Sequence, residues 1–477
     1  MKIENEIIKS SHWHIEQMKY NSIYFIGIGG IGMSNLARYF LLKGKKVGGY
    51  DHVETPLTRS LQKEGAWIHY EDDIRSVPVP FLDNKKTLVV YTPAVPASHG
   101  ELLYFRENGY EVMKRARLLG EITDNSDAIC VAGTHGKTTV SSMIAHLLRQ
   151  SQVDCNAFLG GILKNYNSNL LLSEKSNITV VEADEYDRSF HWLKPWIAVI
   201  TSADPDHLDI YGTAEAYRES FEKFTSLIRP DGHLVMKKGI PVTSRAGETV
   251  KIWSYSETEG DFHAENIRIG NGEIRFDLVT PWEVIRNISP GVPVKINIEN
   301  SVAAAAAARL SGVTPDEVRE ALHTFRGAAR RFDFRIKTDR IVFIDDYAHH
   351  PRELWAAIQS IKALYAGRKI TAVFQPHLYS RTRDFAKEFA ESLSLLDDVV
   401  LLDIYPAREE PIQGVSSLLI LDKITSPQKL LCTKQDLTDL LRKKELEVLV
   451  TFGAGDIDRL LPAIEKVLTE KYLSGSK

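Results

Sequence analysis

The sequence predicts an α/β fold of three successive units, each a mainly parallel sheet with helices on its faces. Three observations predict it. Short apolar runs alternate with helical patterns along most of the chain. Glycine-rich turns follow two of those runs and open a helix. Charged strings follow several others, at the strand ends where such folds gather functional groups. The 477 residues suffice for two to four domains. We place them at 1–124 and 329–477, both α/β, and at 125–328, a central phosphate-loop domain.

Composition narrows the class of function. Hydrophobic residues make up 43% and charged residues 26%, enough to build sizeable cores. The net charge of −4 speaks against nucleic acid or an anionic membrane surface as the main partner. No apolar run reaches the length of a membrane span, so no membrane insertion is expected. Cys130, Cys155 and Cys432 form neither a metal spacing nor a disulfide framework, which fits a cytoplasmic location. Met1 to Tyr20 is polar and mixed in charge, unlike a secretory leader, and suits a short helix.

In the first unit Ile23 to Ile26 is a strand, and Met33 to Lys43 a helix. Between them lies Gly27-Ile28-Gly29-Gly30-Ile31-Gly32. Lys46 to Tyr50 and Thr87 to Tyr91 are further strands, and Asp51 ends the former, 19 residues after Gly32. This is the dinucleotide fingerprint: a pyrophosphate on a helix N-terminus and a carboxylate near a ribose or base. NAD and a UDP-sugar carry the same pyrophosphate, so the loop does not choose between them.

The second unit opens on the strand Ala128 to Val131. Gly133-Thr134-His135-Gly136-Lys137-Thr138-Thr139 and a helix to Gln150 follow. The glycines let backbone N–H groups face phosphates. Lys137 suits the terminal phosphates of ATP, and the Thr138 hydroxyl suits Mg²⁺. The loop is shortened, because the usual first glycine would fall at Val131. Two acidic strings follow strands: Glu182 to Asp187 after Ile178 to Val181, and Asp204 to Asp209 after Ile197 to Ile200. Either alone reads as well as a solvated loop. Beside a phosphate loop, a cation among the carboxylates is the better reading. His207 fits a metal ligand, a phosphate contact or a plain loop histidine. Asp261 to Val294 suggests an antiparallel patch, and Asn300 to Leu310 an alanine-rich helix stopped at Gly312. Thr314-Pro315-Asp316-Glu317 opens another helix as a capping box with proline at its first position.

The third unit has strands at Ile341 to Ile344, Ile370 to Phe374, Val399 to Leu402 and Val448 to Thr451. Arg330-Arg331-Phe332-Asp333 offers either a fork for phosphate or a surface ion pair. Asp345 to Pro351 and Gln375 to Arg383 follow strands. The latter packs His377, Tyr379, Arg381 and Arg383 into nine residues, as a grip for a small carboxylate or as a basic helix start. Gly453-Ala454-Gly455 makes a close-approach turn.

Together these strings resemble the Mur ligases over essentially the whole chain. The resemblance is carried by Gly27 to Ser34, Gly133 to Thr139, Glu182 to Asp187, Asp206-His207 and Asn297 with Asn300. It continues through Arg330 to Asp333, Asp346 to His350, Gln375 to Arg383, Asp403 to Tyr405 and Gly453 to Ile457. It implies an amide-bond-forming ligase of the alanine-adding branch, with ATP, Mg²⁺, UDP-N-acetylmuramate and L-alanine, as a monomer or weak homodimer. It implies Rossmann-like first and last domains, the first holding the UDP-sugar through Gly27, Gly29, Gly30, Gly32 and Asp51 and the last the amino acid. It implies that Thr138, Glu182 and His207 reach Mg²⁺, and that Lys137, Glu182, His207 and Arg331 carry the catalysis. Asn297 and Asn300 would contact adenine, Asp346 the ribose and Arg331 the terminal phosphate. His377 and Arg381 would hold the alanine carboxylate, with His349 and Tyr405 beside them. Three positions depart from the family pattern: Ile296 where a histidine is frequent, Leu378 where an arginine is common, and Phe221 where sister ligases carry a modifiable lysine. A related ligase that adds a recycled tripeptide, and an NAD-dependent oxidoreductase, are the competing readings.

Overall fold

A computed structural model of the chain describes residues 20–206, 208–270, 272–407 and 409–473. The short helix expected before Tyr20 lies outside them. The chain divides into two compact units. The first takes the chain up to Glu265, with Leu278–Arg286 and Glu299–Phe325; the second takes Asn266–Asp277, Asn287–Ile298 and Arg326–Lys477.

The first unit holds two parallel-type sheets. β1 (Ser22–Ile26), β2 (Lys46–Tyr50), β3 (Trp67–His69), β4 (Thr87–Tyr91) and β5 (Glu111–Lys114) lie in the order β3-β2-β1-β4-β5. All four pairings are parallel. The order reverses between β1 and β4, which opens a crevice at the carboxyl end of β1, where the Gly27 turn stands.

The second sheet contains β6 (Asp127–Ala132), β7 (Asn156–Leu163), β8 (Ser168–Leu171), β9 (Ile178–Glu182), β10 (Ile197–Ile200), β11 (His233–Lys237) and β12 (Lys251–Tyr255). Its order is β12-β11-β10-β6-β9-β7-β8, with only the edge pair β7-β8 antiparallel. Val131 stands level with Glu182 of β9, and Ala132 with Ile200 of β10. The phosphate loop therefore leaves the sheet between two strand ends that carry the acidic strings.

One apolar cluster runs through both sheets, from Phe25, Leu36 and Phe40 to Cys130, Phe158 and Phe221. Tyr39 packs on Phe158 at 5.5 Å between ring centres. Burying rings of this size is worth about 2–3 kcal/mol each, so the joint is firm. Asn35 completes it by donating to the Leu159 carbonyl at 2.8 Å.

A three-stranded sheet in chain order, β13 (His263–Gly270), β14 (Glu273–Val279) and β15 (Val284–Ile288), fills the stretch where an antiparallel patch is expected. Thr314 caps the helix Pro315–Thr324 through the predicted capping box with Glu317. In the second unit, β16 (Asp333–Lys337), β17 (Val342–Asp346), β18 (Ile370–Phe374), β19 (Asp398–Leu401), β20 (Gln428–Leu431) and β21 (Val448–Phe452) are ordered β16-β17-β21-β18-β19-β20. Only β16 runs antiparallel to its neighbour. Asp346, Phe452 and Phe374 stand level on the three central strands, so the segments that follow them emerge at one edge.

Candidate active site

In the first unit the phosphate loop is shaped by its neighbours. Gly133 has φ +145°, and a Cβ there would stand 2.1 Å from Thr201 Oγ1. Gly136, at φ +86°, precedes the helix Lys137–Arg149. Only glycine serves the left-handed turn and the close approach together. Thr201 donates to the His135 carbonyl at 2.5 Å, and the His135 N–H donates to Ser202 Oγ at 2.8 Å. Thr134 donates to the Asp204 carbonyl at 2.7 Å and lies 2.9 Å from the Tyr217 hydroxyl. The loop is thus tied to the end of β10 before any ligand arrives. Thr138 and Thr139 fall in the first turn of the helix, and Asn300 Oδ1 approaches the Gly136 backbone.

Lys137 points to a partner that the sequence reading passed over. Its ammonium donates to the Gly133 carbonyl at 2.6 Å and to the Glu185 carboxylate at 2.8 Å. Glu185 is buried, and burial pushes its carboxyl up while Lys137 pulls it back down.

The Gly27 turn is equally constrained. The Gly29 N–H donates to Asp51 Oδ2 at 2.7 Å, and the Val53 N–H to Asp51 Oδ1 at 3.3 Å. Asp51 therefore braces the turn. Gly30 and Gly32 line a cavity of about 340 Å³ together with Asn35, Arg115, Gly160, Glu182 and Asp184. Gly160 lacks the Cβ that would collide with the Glu182 carboxylate. Arg115 pairs with Asp184 at 3.3 Å, and Lys114 with Asp187 at 2.8 Å. These two bases at the end of β5 fasten the acidic string of β9 to the first sheet. Arg115 was missed because nothing around it in sequence marks a site; only the topology brings it there.

For a divalent cation, the oxygen donors of Glu182 and Thr138 have the right hardness. No group of three histidine, cysteine or carboxylate side chains suited to a metal exists among the described residues. His207 lies outside them. Phe221 is fully buried against Phe190 and Tyr217, in the aromatic core beneath the loop, so the departure there is a packing residue.

In the second unit the arginine pair is part of a strained turn. Arg330 and Phe332 have φ of +62° and +46°, positions that cost about 1–3 kcal/mol each unless overdetermined. Arg330 donates to the Gly453 carbonyl at 2.5 Å and to Asp345 at 3.3 Å. Arg330 and Arg331 both lie over the Tyr347 ring, at 5.2 and 5.1 Å. Asp346 accepts from the Phe332 N–H at 2.7 Å and the Ala348 N–H at 2.8 Å. Its carboxyl is pushed up to about 6, chiefly by burial, against the pull of those bonds and of Arg331.

His349, His377 and Tyr405 form a ring series, with centres 5.8 Å apart at each step. His349 Nδ1 is 3.0 Å from the Tyr347 carbonyl, so that nitrogen carries the proton. Burial holds its pKa below the usual value. Arg381 adds a positive field at His349, and its Nη1 is buried with no hydrogen-bond partner. Leu378 has φ +70°, held by its N–H on the Tyr405 carbonyl at 3.0 Å. Asn297 lies on the first turn of the helix Ile296–Leu310 and donates to the Val292 carbonyl at 3.0 Å.

A phosphate loop flanked by carboxylate-bearing strand ends, with a second glycine loop whose cavity reaches Glu182 and Asp184, defines a nucleotide-dependent α/β enzyme. Family models match 22–126 as "Mur ligase family, catalytic domain" and 131–308 as "Mur ligase middle domain". A third matches 330–455 as "Mur ligase, glutamate ligase domain". The chain belongs to the Mur ligase family. It is 64% identical to a UDP-N-acetylmuramate–L-alanine ligase of Parabacteroides distasonis, across 95% of this chain and 98% of that one. It is 48% identical to the ligase of that name from Flavobacterium johnsoniae, across 94% and 98%. The crystal structure of a UDP-N-acetylmuramate-alanine ligase from Thermotoga maritima superposes with a TM-score of 0.79 at 28% identity, covering 95% of this chain and all of that one. A murein peptide ligase from Psychrobacter arcticus shares the fold at a TM-score of 0.65 and 22% identity, over 94% and 98%.

Proposed function

We propose that this enzyme joins L-alanine to the lactyl carboxylate of UDP-N-acetylmuramate, with ATP as the energy source. The observation that carries the reading is the shared cavity of Gly30, Gly32, Arg115, Glu182 and Asp184. It supports seating a diphosphate-linked sugar on the first loop with its acid end toward the strand that flanks the phosphate loop. The high identity to alanine ligases supports the choice of amino acid.

The carboxylate attacks the γ-phosphate, the bond to the β-phosphate breaks, and ADP leaves an acyl phosphate behind. The alanine amine then displaces phosphate and forms the amide. The phosphate loop N–H groups and Lys137 position and neutralise the polyphosphate, and such electrostatic positioning supplies most of the rate in phosphoryl transfer. Glu182 and Thr138 would hold Mg²⁺, which when bound neutralises the crowded phosphate oxygens. Arg331 serves the terminal phosphate, Asp346 the ribose, and Asn297 and Asn300 the adenine. His349, His377, Arg381 and Tyr405 form the amino-acid pocket, where the unpartnered Arg381 Nη1 is a ready donor for a carboxylate.

The test is phosphate release with ATP and UDP-N-acetylmuramate while amino acids are scanned. L-Alanine should support turnover. Turnover with the recycled tripeptide and none with L-alanine would replace this reading with the peptide-ligase one.

A further inference from the structure

The Lys137–Glu185 pair has a consequence for nucleotide exchange. Glu185 lies within the acidic string at the end of β9, and its backbone is fixed from several sides. Its carbonyl accepts from the Tyr211 hydroxyl at 2.5 Å and from the Arg188 N–H at 3.0 Å. Two and three residues on, Asp187 and Arg188 hold left-handed φ of +52° and +56°. Lys114 grips Asp187, and the Arg188 guanidinium lies 4.7 Å over the Tyr211 ring. The carboxylate is 1% exposed and cannot follow the lysine into solvent.

Lys137 differs: its chain is flexible, and its ammonium is shared between the Gly133 carbonyl and the Glu185 carboxylate. A polyphosphate on the loop needs the same ammonium that the carboxylate now holds. Tyr217 and Asp184 also face Glu185, and neither brings a positive charge to replace the lysine. Anion binding and the buried pair therefore draw on one cation.

We infer that Glu185 is a positioning residue that competes with nucleotide phosphates for the Lys137 ammonium, holding it while the loop is empty and reclaiming it as product leaves. This rests on the reading of Gly133 to Thr139 as an ATP loop. The sign of the effect is unusual. Loss of a residue that merely supports the loop weakens nucleotide binding. Loss of a competing anion strengthens it.

The probe is ADP without metal, in excess EDTA, titrated calorimetrically into the full-length enzyme. E185Q keeps the size of the side chain and removes the charge. It should tighten ADP binding by about tenfold, equivalent to ~1.4 kcal/mol, and lower kcat where product release limits turnover. E185D, which keeps the charge, should stay within about twofold of wild type. E185A removes the charge without placing an unpartnered amide in the site, and serves if E185Q does not fold. Unchanged or weaker ADP binding in a folded charge-removing variant overturns the inference and leaves the ATP reading standing. No ADP binding by wild type, either in EDTA or with Mg²⁺ added, removes the ATP reading itself.

Discussion

The guanidinium of Arg115 fills the space that a side chain on Gly32 would need: Nη1 lies 2.8 Å from that Cβ position, and Cδ and Cζ lie 3.2 Å from it. Gly32 is in the first turn of the helix Ile31–Leu42, so a side-chain cation and a helix N-terminus bear on one spot. Gly32→Ala should push the flexible end of Arg115 aside and leave the fold intact. We expect the KM for UDP-N-acetylmuramate to rise about tenfold, the value of one charge-assisted bond, with the KM for ATP unchanged. Steady-state kinetics with each substrate varied reads this. Equal rises in both constants would point to damage of the whole site.

Lys137→Ala removes the ammonium from the loop and leaves Glu185 buried without its counter-charge. Alanine-dependent phosphate release should vanish. Circular dichroism should show the fold retained, because burial already favours a proton on Glu185 and neutralisation relieves the orphaned charge. Turnover at the wild-type rate would refute the assignment of this loop.

The contrast between Lys137 and Arg115 marks how far the sequence could be read. The glycine spacings, strand ends and capping box are local, so Gly27 to Gly32, Gly133 to Thr139 and Thr314 to Glu317 were legible from neighbours in the chain. The ten strands expected from apolar runs, Ile370–Phe374 among them, lie within two residues of their expected bounds, because short runs bounded by turn residues favour a buried strand. The antiparallel edge strands β8 and β16 were not seen, because their sequences, Ser168–Leu171 and Asp333–Lys337, mix polar with apolar residues and lack a continuous apolar run. Partners distant in sequence were also hidden. Thr201, Ser202 and Arg115 meet the loops only through the strand order, and Asp51 and Asp346 turn out to brace their own turns.

Glu317 serves two partners. Its Oε2 accepts from the Thr314 N–H and its Oε1 from the Gln152 N–H, both at 2.9 Å. Thr314→Ala loses the cap alone and should cost about 1 kcal/mol. Glu317→Ala should cost somewhat more, since it loses the bond from the Thr314 N–H together with the link to the Gln152 N–H beyond the helix Lys137–Arg149. Thermal unfolding of both variants gives the order, and a larger loss for Thr314→Ala would show that the Gln152 contact contributes nothing.

Asp346 supplies a pH dependence with a definite sign. Its carboxyl rises from 3.8 to about 6 in the folded chain, with burial the largest cause. The folded state therefore holds that proton more tightly than the unfolded state. The stabilisation is complete below the unfolded value and is lost as pH climbs through about 6. A shift of about two units corresponds to at most ~3 kcal/mol, less for a side chain that is only half-buried. Asp346→Asn cannot titrate, so the stability of wild type relative to this variant should fall between pH 4 and pH 7 (roughly the span of the titration) by up to that amount. Urea unfolding at several pH values measures it. The ionised form present above pH 6 is also the one able to accept from ribose hydroxyls, so the KM for ATP should fall over the same range in wild type and stay flat in Asp346→Asn. A stability difference that is flat, or that rises with pH, would mean burial does not govern this carboxyl.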